Sequence, residues 1–262
     1  MFGRGREKRA GRKPPRQFLD RPSSYILEAL IVFGLIAGFA YAFRGYAAQA
    51  ACFRVKTIRV EGADIVPDEA IIARSGLTDA DNVLFLDPGA VRERIESMPF
   101  VQSCRVARVF PDKVRIAVKE RAPVATLLVN NRSFELDREG TVLRELGPGA
   151  AHTGPFITNV ADVSSVTCGE RLPPRALLAA LAVWEAFRST SMAREVTVSE
   201  ISAAQESRIC MYCDEFDFEI RWGREDFERQ AWKLDVLWRA QNRRLSGKEY
   251  VDLRFGNDIA CK

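Results

Sequence analysis

Few residues in this chain are equipped for chemistry. Cys210-Met211-Tyr212-Cys213 has the spacing of a dithiol redox pair, His152 is the only imidazole in 262 residues, and Glu225-Asp226 sets two carboxylates side by side. A reactive CxxC needs a helix N-terminus or a nearby cation to depress its thiol pKa. Here the pair falls in a strand-like run, where an offset of three turns the side chains to opposite faces, so buried free thiols or disulfides to separate partners are the simpler reading, and the sequence does not choose among the fifteen pairings of six cysteines. Cys52, Cys104, Cys168 and Cys261 are isolated, and no second close pair completes a tetrahedral thiolate site. A single histidine excludes His-rich and HExxH metal centres. There is no GxSxG elbow, GxxxxGK[ST] loop or GxGxxG turn. His152 sits in the loop-like Ala-His-Thr-Gly-Pro, and Glu225 and Asp226 fit the first turn of a helix as charges that complement its dipole. The expectation is a protein that is not an enzyme, with no cofactor, no metal and no small-molecule substrate.

A chain without catalytic tools acts by what it displays and where. Of its net charge of +4, residues 1 to 22 contribute eight Lys/Arg against Glu7 and Asp20, a local +6, which leaves −2 for the rest. A basic tail on a near-neutral body gives no basic face for nucleic acid. Tyr25 to Phe43 follows, nineteen residues with Glu28 as the only charge. At ~1.5 Å per residue this helix is roughly 28 Å long, close to the ~30 Å of a bilayer core. A signal-peptide h-region is shorter, and Arg44-Gly45-Tyr46 interrupts a small-x-small cleavage pattern, although Ala47 to Ala51 would suit a peptidase. The expected arrangement is a basic cytoplasmic tail (1–24), a retained single-pass helix (25–43), a juxtamembrane linker (44–53) and a body outside the cytoplasmic membrane.

The first part of the body, 54–122, reads as β-α-α-β-β. Val55 to Val60 is strand-like, Pro67 to Ser75 is helical until Gly76, and Pro88 opens a helix that runs to about Met98. Val101 to Val109 and Val114 to Val118 are strands around the turn Phe110-Pro111-Asp112-Lys113. The second part, 123–262, offers strands at Val124 to Val129, Ser133 to Leu136, Thr141 to Leu143, Val196 to Ile201, Arg208 to Tyr212 and Phe216 to Arg221. Its two helices are predicted at Arg175 to Arg188 and Arg224 to Arg243. Their apolar stripes are Leu177, Leu181, Trp184 and Phe187 on the first, and Phe227, Ala231, Leu234 and Trp238 on the second. The fold class is α+β, with an antiparallel sheet expected in the second part.

Tyr250-Val251-Asp252-Leu253-Arg254-Phe255 alternates apolar Val251, Leu253 and Phe255 with polar neighbours, then breaks at Gly256-Asn257-Asp258 before Ile259-Ala260-Cys261. A terminal strand often lies at a sheet edge, where unpaired backbone groups template an incoming strand.

Residues 101 to 125, with their strand, aromatic-Pro turn, alternating strand and exit Glu120-Arg121-Ala122-Pro123-Val124-Ala125, resemble the end of the POTRA domain in FtsQ/DivIB bacterial cell-division proteins. Tyr250 to Phe255 is similar to the Tyr-Val-Asp-Leu-Arg-aromatic segment of their β domain. The resemblance implies a non-enzymatic scaffold of the divisome in the inner membrane at the septum. It also implies that the last strand and its aftermath bind FtsB-like and FtsL-like partners, with an FtsK-like protein upstream. Tyr250, Val251, Asp252, Leu253, Arg254, Phe255, Asn257, Asp258 and Ile259 are the partner-binding positions it nominates. Many members of that family continue to a contacting Trp, which has no counterpart before Lys262. Glu120-Arg121 is expected to be an exposed ion pair at the joint, worth ~0 to 1 kcal/mol. The rival readings are a POTRA-bearing secretion or outer-membrane assembly factor, and an exported thiol oxidoreductase using Cys210 and Cys213.

Overall fold

The structure is a computed structural model that describes residues 22–161, 163, 165–245, 247–256 and 258–262. Most of the basic tail, and Asn257 among the nominated site residues, lie outside the described residues. The first helix, α1 (Pro22–Gln49), is 28 residues long. From Tyr25 to Phe43 its side chains are exposed, and its most apolar 18-residue window has a mean hydropathy of 2.2. A helix that is apolar all round and uncovered is built for lipid rather than for a core. The linker expected over 44–53 is helical as far as Gln49, because Arg44 to Gln49 contains no proline and is rich in Ala, a strong helix former.

Past α1 the described chain forms two sheets, each with its own core. In the first, β1 (Thr57–Glu61) leads to α2 (Asp68–Ser75) and α3 (Pro88–Glu96), then to β2 (Val101–Val109) and β3 (Lys113–Glu120), in the sheet order β1-β3-β2. Proline at the start of α3 has no N–H to leave unpaired, and the Asp87 carboxylate accepts from the Gly89 N–H at 2.8 Å. Ile71, Val91 and Ile95 from the helices pack on Val114, Ile116 and Val118, the inward positions of β3. Gly62 ends β1 with φ of +80°, where any Cβ would collide with the Val118 carbonyl.

The second sheet has nine strands in the order β12-β11-β10-β9-β8-β7-β4-β5-β6. A meander of β4 (Ala125–Val129), β5 (Arg132–Leu136) and β6 (Val142–Leu146) turns at Asn130 and Asn131, both at positive φ. Then come β7 (Phe156–Thr158), α4 (Arg175–Arg188), β8 (Val198–Gln205), β9 (Arg208–Cys213), β10 (Glu219–Trp222), α5 (Phe227–Ala240), β11 (Tyr250–Asp252) and β12 (Ala260–Cys261). The α+β class holds, but the sheet is mixed rather than wholly antiparallel. β7 pairs parallel with both β4 and β8, and β10 pairs parallel with β11. For β7–β8 and β10–β11 the reason is that α4 and α5 are crossover connections, which return the chain to the same end of the sheet before the next strand, and for β4–β7 the segment 147–155 after β6 makes that return without a helix. Both helices bury their stripes in one core. Leu177, Leu181 and Phe187 of α4 join Leu234 and Trp238 of α5 over Ile157, Ile201, Met211, Ile220 and Val251.

Two local expectations are corrected. α5 starts at Phe227 rather than Arg224, because Asp226 takes a left-handed φ of 54° and the Gln230 side chain folds back to accept from the Gly223 N–H at 2.7 Å. It ends at Ala240, where Asn242 and Arg243 turn left-handed and the Arg243 N–H returns to the Trp238 carbonyl at 2.9 Å. Glu225 and Asp226 thus precede the helix. Glu120 and Arg121 do not pair with each other either. Glu120 accepts from the N–H groups of Asp64, Ile65 and Val66 at 2.9, 2.7 and 2.8 Å, clamping the loop after β1. Arg121 turns the other way and meets Asp137 at 2.6 Å, with side chains only 18% and 5% exposed. Side chains of successive residues in extended chain point to opposite sides, so the dyad ties both sheets to one short joint.

Candidate functional site

The end of the second sheet is built by the crossover β10-α5-β11. β11 lies beside β10 with Ile220 opposite Val251, and the chain then loops back so that β12 runs antiparallel along its other side, Val251 opposite Cys261 and Asp252 opposite Ala260. The outermost strand is therefore β12, not Tyr250 to Phe255, and β11 stops at Asp252. No strand pairs with the outer side of β12 among the described residues. The Lys262 N–H bonds the Tyr250 carbonyl at 3.4 Å, and alternation along an antiparallel pair turns the Cys261 N–H and C=O to that open side.

The nominated residues divide by burial. Val251, Asp252 and Leu253 are 0, 2 and 1% exposed, so their side chains belong to the core and offer no surface. Tyr250 and Ile259 are half-buried, and Arg254 and Asp258 are exposed. Phe255 is 53% exposed, against the inward position that alternation predicts. Its reversal has a cause outside the strand. Lys233, on α5 and only 6% exposed, sends its ammonium to the carbonyls of Leu253, Phe255, Gly256 and Asp258 at 3.1, 3.3, 3.0 and 3.1 Å. The backbone turns its oxygens inward to the cation, the strand ends, and Phe255 is left in solvent.

The outer face of β9, β10 and β11 is a charged ladder. Arg221 pairs with Glu219 and stacks 4.1 Å over the Tyr250 ring. Arg254 closes on Asp252, its Nε 2.9 Å from Oδ1 and 3.0 Å from Oδ2, and its own N–H bonds the same carboxylate at 3.0 Å. Burial works to raise the Asp252 carboxyl, but the Arg254 hydrogen bonds and the Arg221 charge outweigh it and hold the group below its ordinary value. For Lys233, burial and the neighbouring Arg229 charge lower the ammonium from the usual lysine range, against the pull of Asp258 and Asp252.

Burial governs the two thiols of the close pair. Burial, with Glu219 second, pushes Cys210 up to about 11, and burial pushes Cys213 up to about 12, so both are protonated thiols at neutral pH. Cys213 is buried in the core while Cys210 shares the outer face with Tyr212, the opposite-face arrangement that their offset implies. All six cysteines are free thiols. His152 is exposed, with Nδ1 3.0 Å from the Gly154 carbonyl and its ring 4.4 Å from that of Phe156.

A family model described as "POTRA domain, FtsQ-type" matches residues 53–121, and one described as "Cell division protein FtsQ/DivIB, C-terminal" matches 125–254. A cell division protein FtsQ of Rhodothermus marinus is 30% identical over 226 residues, covering 80% of this chain and 77% of its own. The chain belongs to the FtsQ/DivIB family of cell division proteins. An FtsQ of Syntrophotalea carbinolica is 28% identical over 210 residues, with 80% of this chain and 74% of its own covered. One from Caulobacter vibrioides is 35% identical over 105 residues, 40% of this chain. Membership in this FtsQ family, together with α1, makes the protein a membrane-anchored division protein rather than a secretion factor. The matched FtsQ/DivIB region includes Tyr250 to Arg254 and stops short of Phe255, Asp258 and β12. Lys233, Arg221, Ala260 and Cys261 were not among the expected site residues. Gly256-Asn257-Asp258 between two apolar runs is a turn signal that pointed to β12, whereas a lone lysine within a helix carries no mark of its target.

Proposed function

We propose that this protein is a divisome scaffold that holds FtsB-like and FtsL-like partners by strand addition at the C-terminal sheet edge and links early to late division proteins at the septum. The observation that carries this reading is the open outer side of β12 beside the exposed Phe255 and Arg254. Backbone groups of β12 would supply affinity, and Phe255, Arg254, Asp258 and the half-buried Tyr250 and Ile259 specificity. The basic tail faces the cytoplasm and the two sheets lie across the membrane, as the positive-inside rule directs. The body divides into a POTRA domain over 54–122 and a β domain over 123–262, and the first serves recruitment, with an FtsK-like protein as its partner.

The test is binding of the full chain, in lipid nanodiscs, to the exported segments of the same organism's FtsB-like and FtsL-like proteins. The unaltered chain should bind. Phe255→Ala should weaken binding at least about tenfold, as loss of a central aromatic anchor does, and Cys261→Pro, which removes the outward N–H, should weaken it as well. Failure of the unaltered chain to bind either segment overturns the partner assignment.

A further inference from the structure

Lys233 is a charged residue inside a helix that otherwise packs a core, and the function proposed above does not use it. Four backbone carbonyls within six residues of chain, Leu253 to Asp258, converge on its Nζ between 3.0 and 3.3 Å. Four oxygens aimed at one point repel one another, and an ammonium offers only three protons to share among them. Such an arrangement is stable only around a positive charge, with charge-assisted hydrogen bonds stronger than neutral ones. Among the described residues of this segment the other bonds are few. The Leu253 N–H reaches the Arg221 carbonyl at 2.9 Å, the Arg254 N–H reaches Asp252, and the Asp258 N–H reaches the Phe255 carbonyl at 2.9 Å. None of these three joins β11 to β12; that is done by the short ladder itself, with the Glu249 N–H on the Lys262 carbonyl and the Lys262 N–H on the Tyr250 carbonyl at 3.4 Å.

We propose that Lys233 is the positioning residue of the partner-binding edge: its ammonium is the internal cation around which the backbone at Leu253, Phe255, Gly256 and Asp258 folds, and this fold both brings β12 back onto β11 and turns Phe255 outward. The lysine touches no partner and acts through the backbone. Its connection to binding rests on the strand-addition reading, while its effect on the loop is independent of it.

Amide hydrogen exchange on the full chain in nanodiscs, read peptide by peptide, separates the two. In Lys233→Met, which keeps the length and loses the charge, protection over 249–262 should fall at least about tenfold, the equivalent of one charge-assisted hydrogen bond. β8, β9 and the first sheet should be unchanged. In Lys233→Ala the missing atoms correspond to n-propylammonium, and millimolar n-propylammonium should restore protection where n-propanol does not. Binding of the FtsB-like segment should fall and recover in parallel. Unchanged protection in Lys233→Met, a loss spread over the whole second sheet, or equal rescue by the alcohol overturns the proposal. If protection behaves as expected but the unaltered chain binds no segment, the loop role stands and the strand-addition reading fails.

Discussion

Asp252 stays ionised inside the sheet because Arg254, two residues on, folds its guanidinium over the carboxylate while Arg221 approaches from the next strand. Since its folded pKa lies below the unfolded aspartate value of ~3.9, the associated stability is complete above that value and is lost as pH falls through the folded one. Denaturant titrations at pH 7 and pH 3 should therefore show an acid-sensitive component that Asp252→Asn lacks. At pH 7 that variant should be about 1–3 kcal/mol less stable, since Arg254 loses its charged acceptor. Arg121→Ala should cost a similar ~1–3 kcal/mol by stranding Asp137, which is 5% exposed, and urea unfolding would measure it. Legibility at this scale followed chemistry better than position. That Cys210 and Cys213 lie on opposite faces could be read from their spacing in a strand. The exposure of Phe255 could not, because it depends on Lys233, a partner placed by tertiary structure, and the burial of Asp252 could not, because it depends on the strands packed on either side of β11.

Among the elements, those with strong local signals matched their expected bounds. α4 spans Arg175–Arg188 as its apolar stripe predicts, and β2 spans Val101–Val109. β7 went unseen because Phe156–Thr158 is three residues long, too short for a period, yet it joins the β4 meander to the remaining strands. The parallel pairings were in principle deducible, since a strand-helix-strand order with a fourteen-residue helix implies a crossover. α5 is held by its apolar face, and Leu234→Ala, at 0% exposure, should destabilise the protein by about 2–5 kcal/mol in a thermal or urea melt. Gly62→Ala should be destabilising too, because the +80° backbone and the Val118 carbonyl leave no room for a methyl group. A loss of under about 0.5 kcal/mol at either position would contradict the packing described.

For the molecule as a whole, the anchor sets which compartment sees which residue. Cys168 and Cys261 are exposed, and Cys104 and Cys213 are buried. In intact spheroplasts a membrane-impermeant maleimide should label the first pair and spare the second, and labelling of Cys168 only after lysis would reverse the proposed orientation. The α+β class was legible from the order of elements. The identity of the outermost strand was not, since it depends on a loop folded around a side chain from another element. The strand order of the second sheet has one more implication. From β7 outward each strand is laid beside the one just before it in the chain, through β8, β9, β10 and β11 to β12. This half of the sheet is thus laid down in chain order, like a wall extended in one direction, with β12 as its outermost course. On the strand-addition reading proposed above, a partner strand would find its place only after every earlier course of this half is set, so folding order would time assembly.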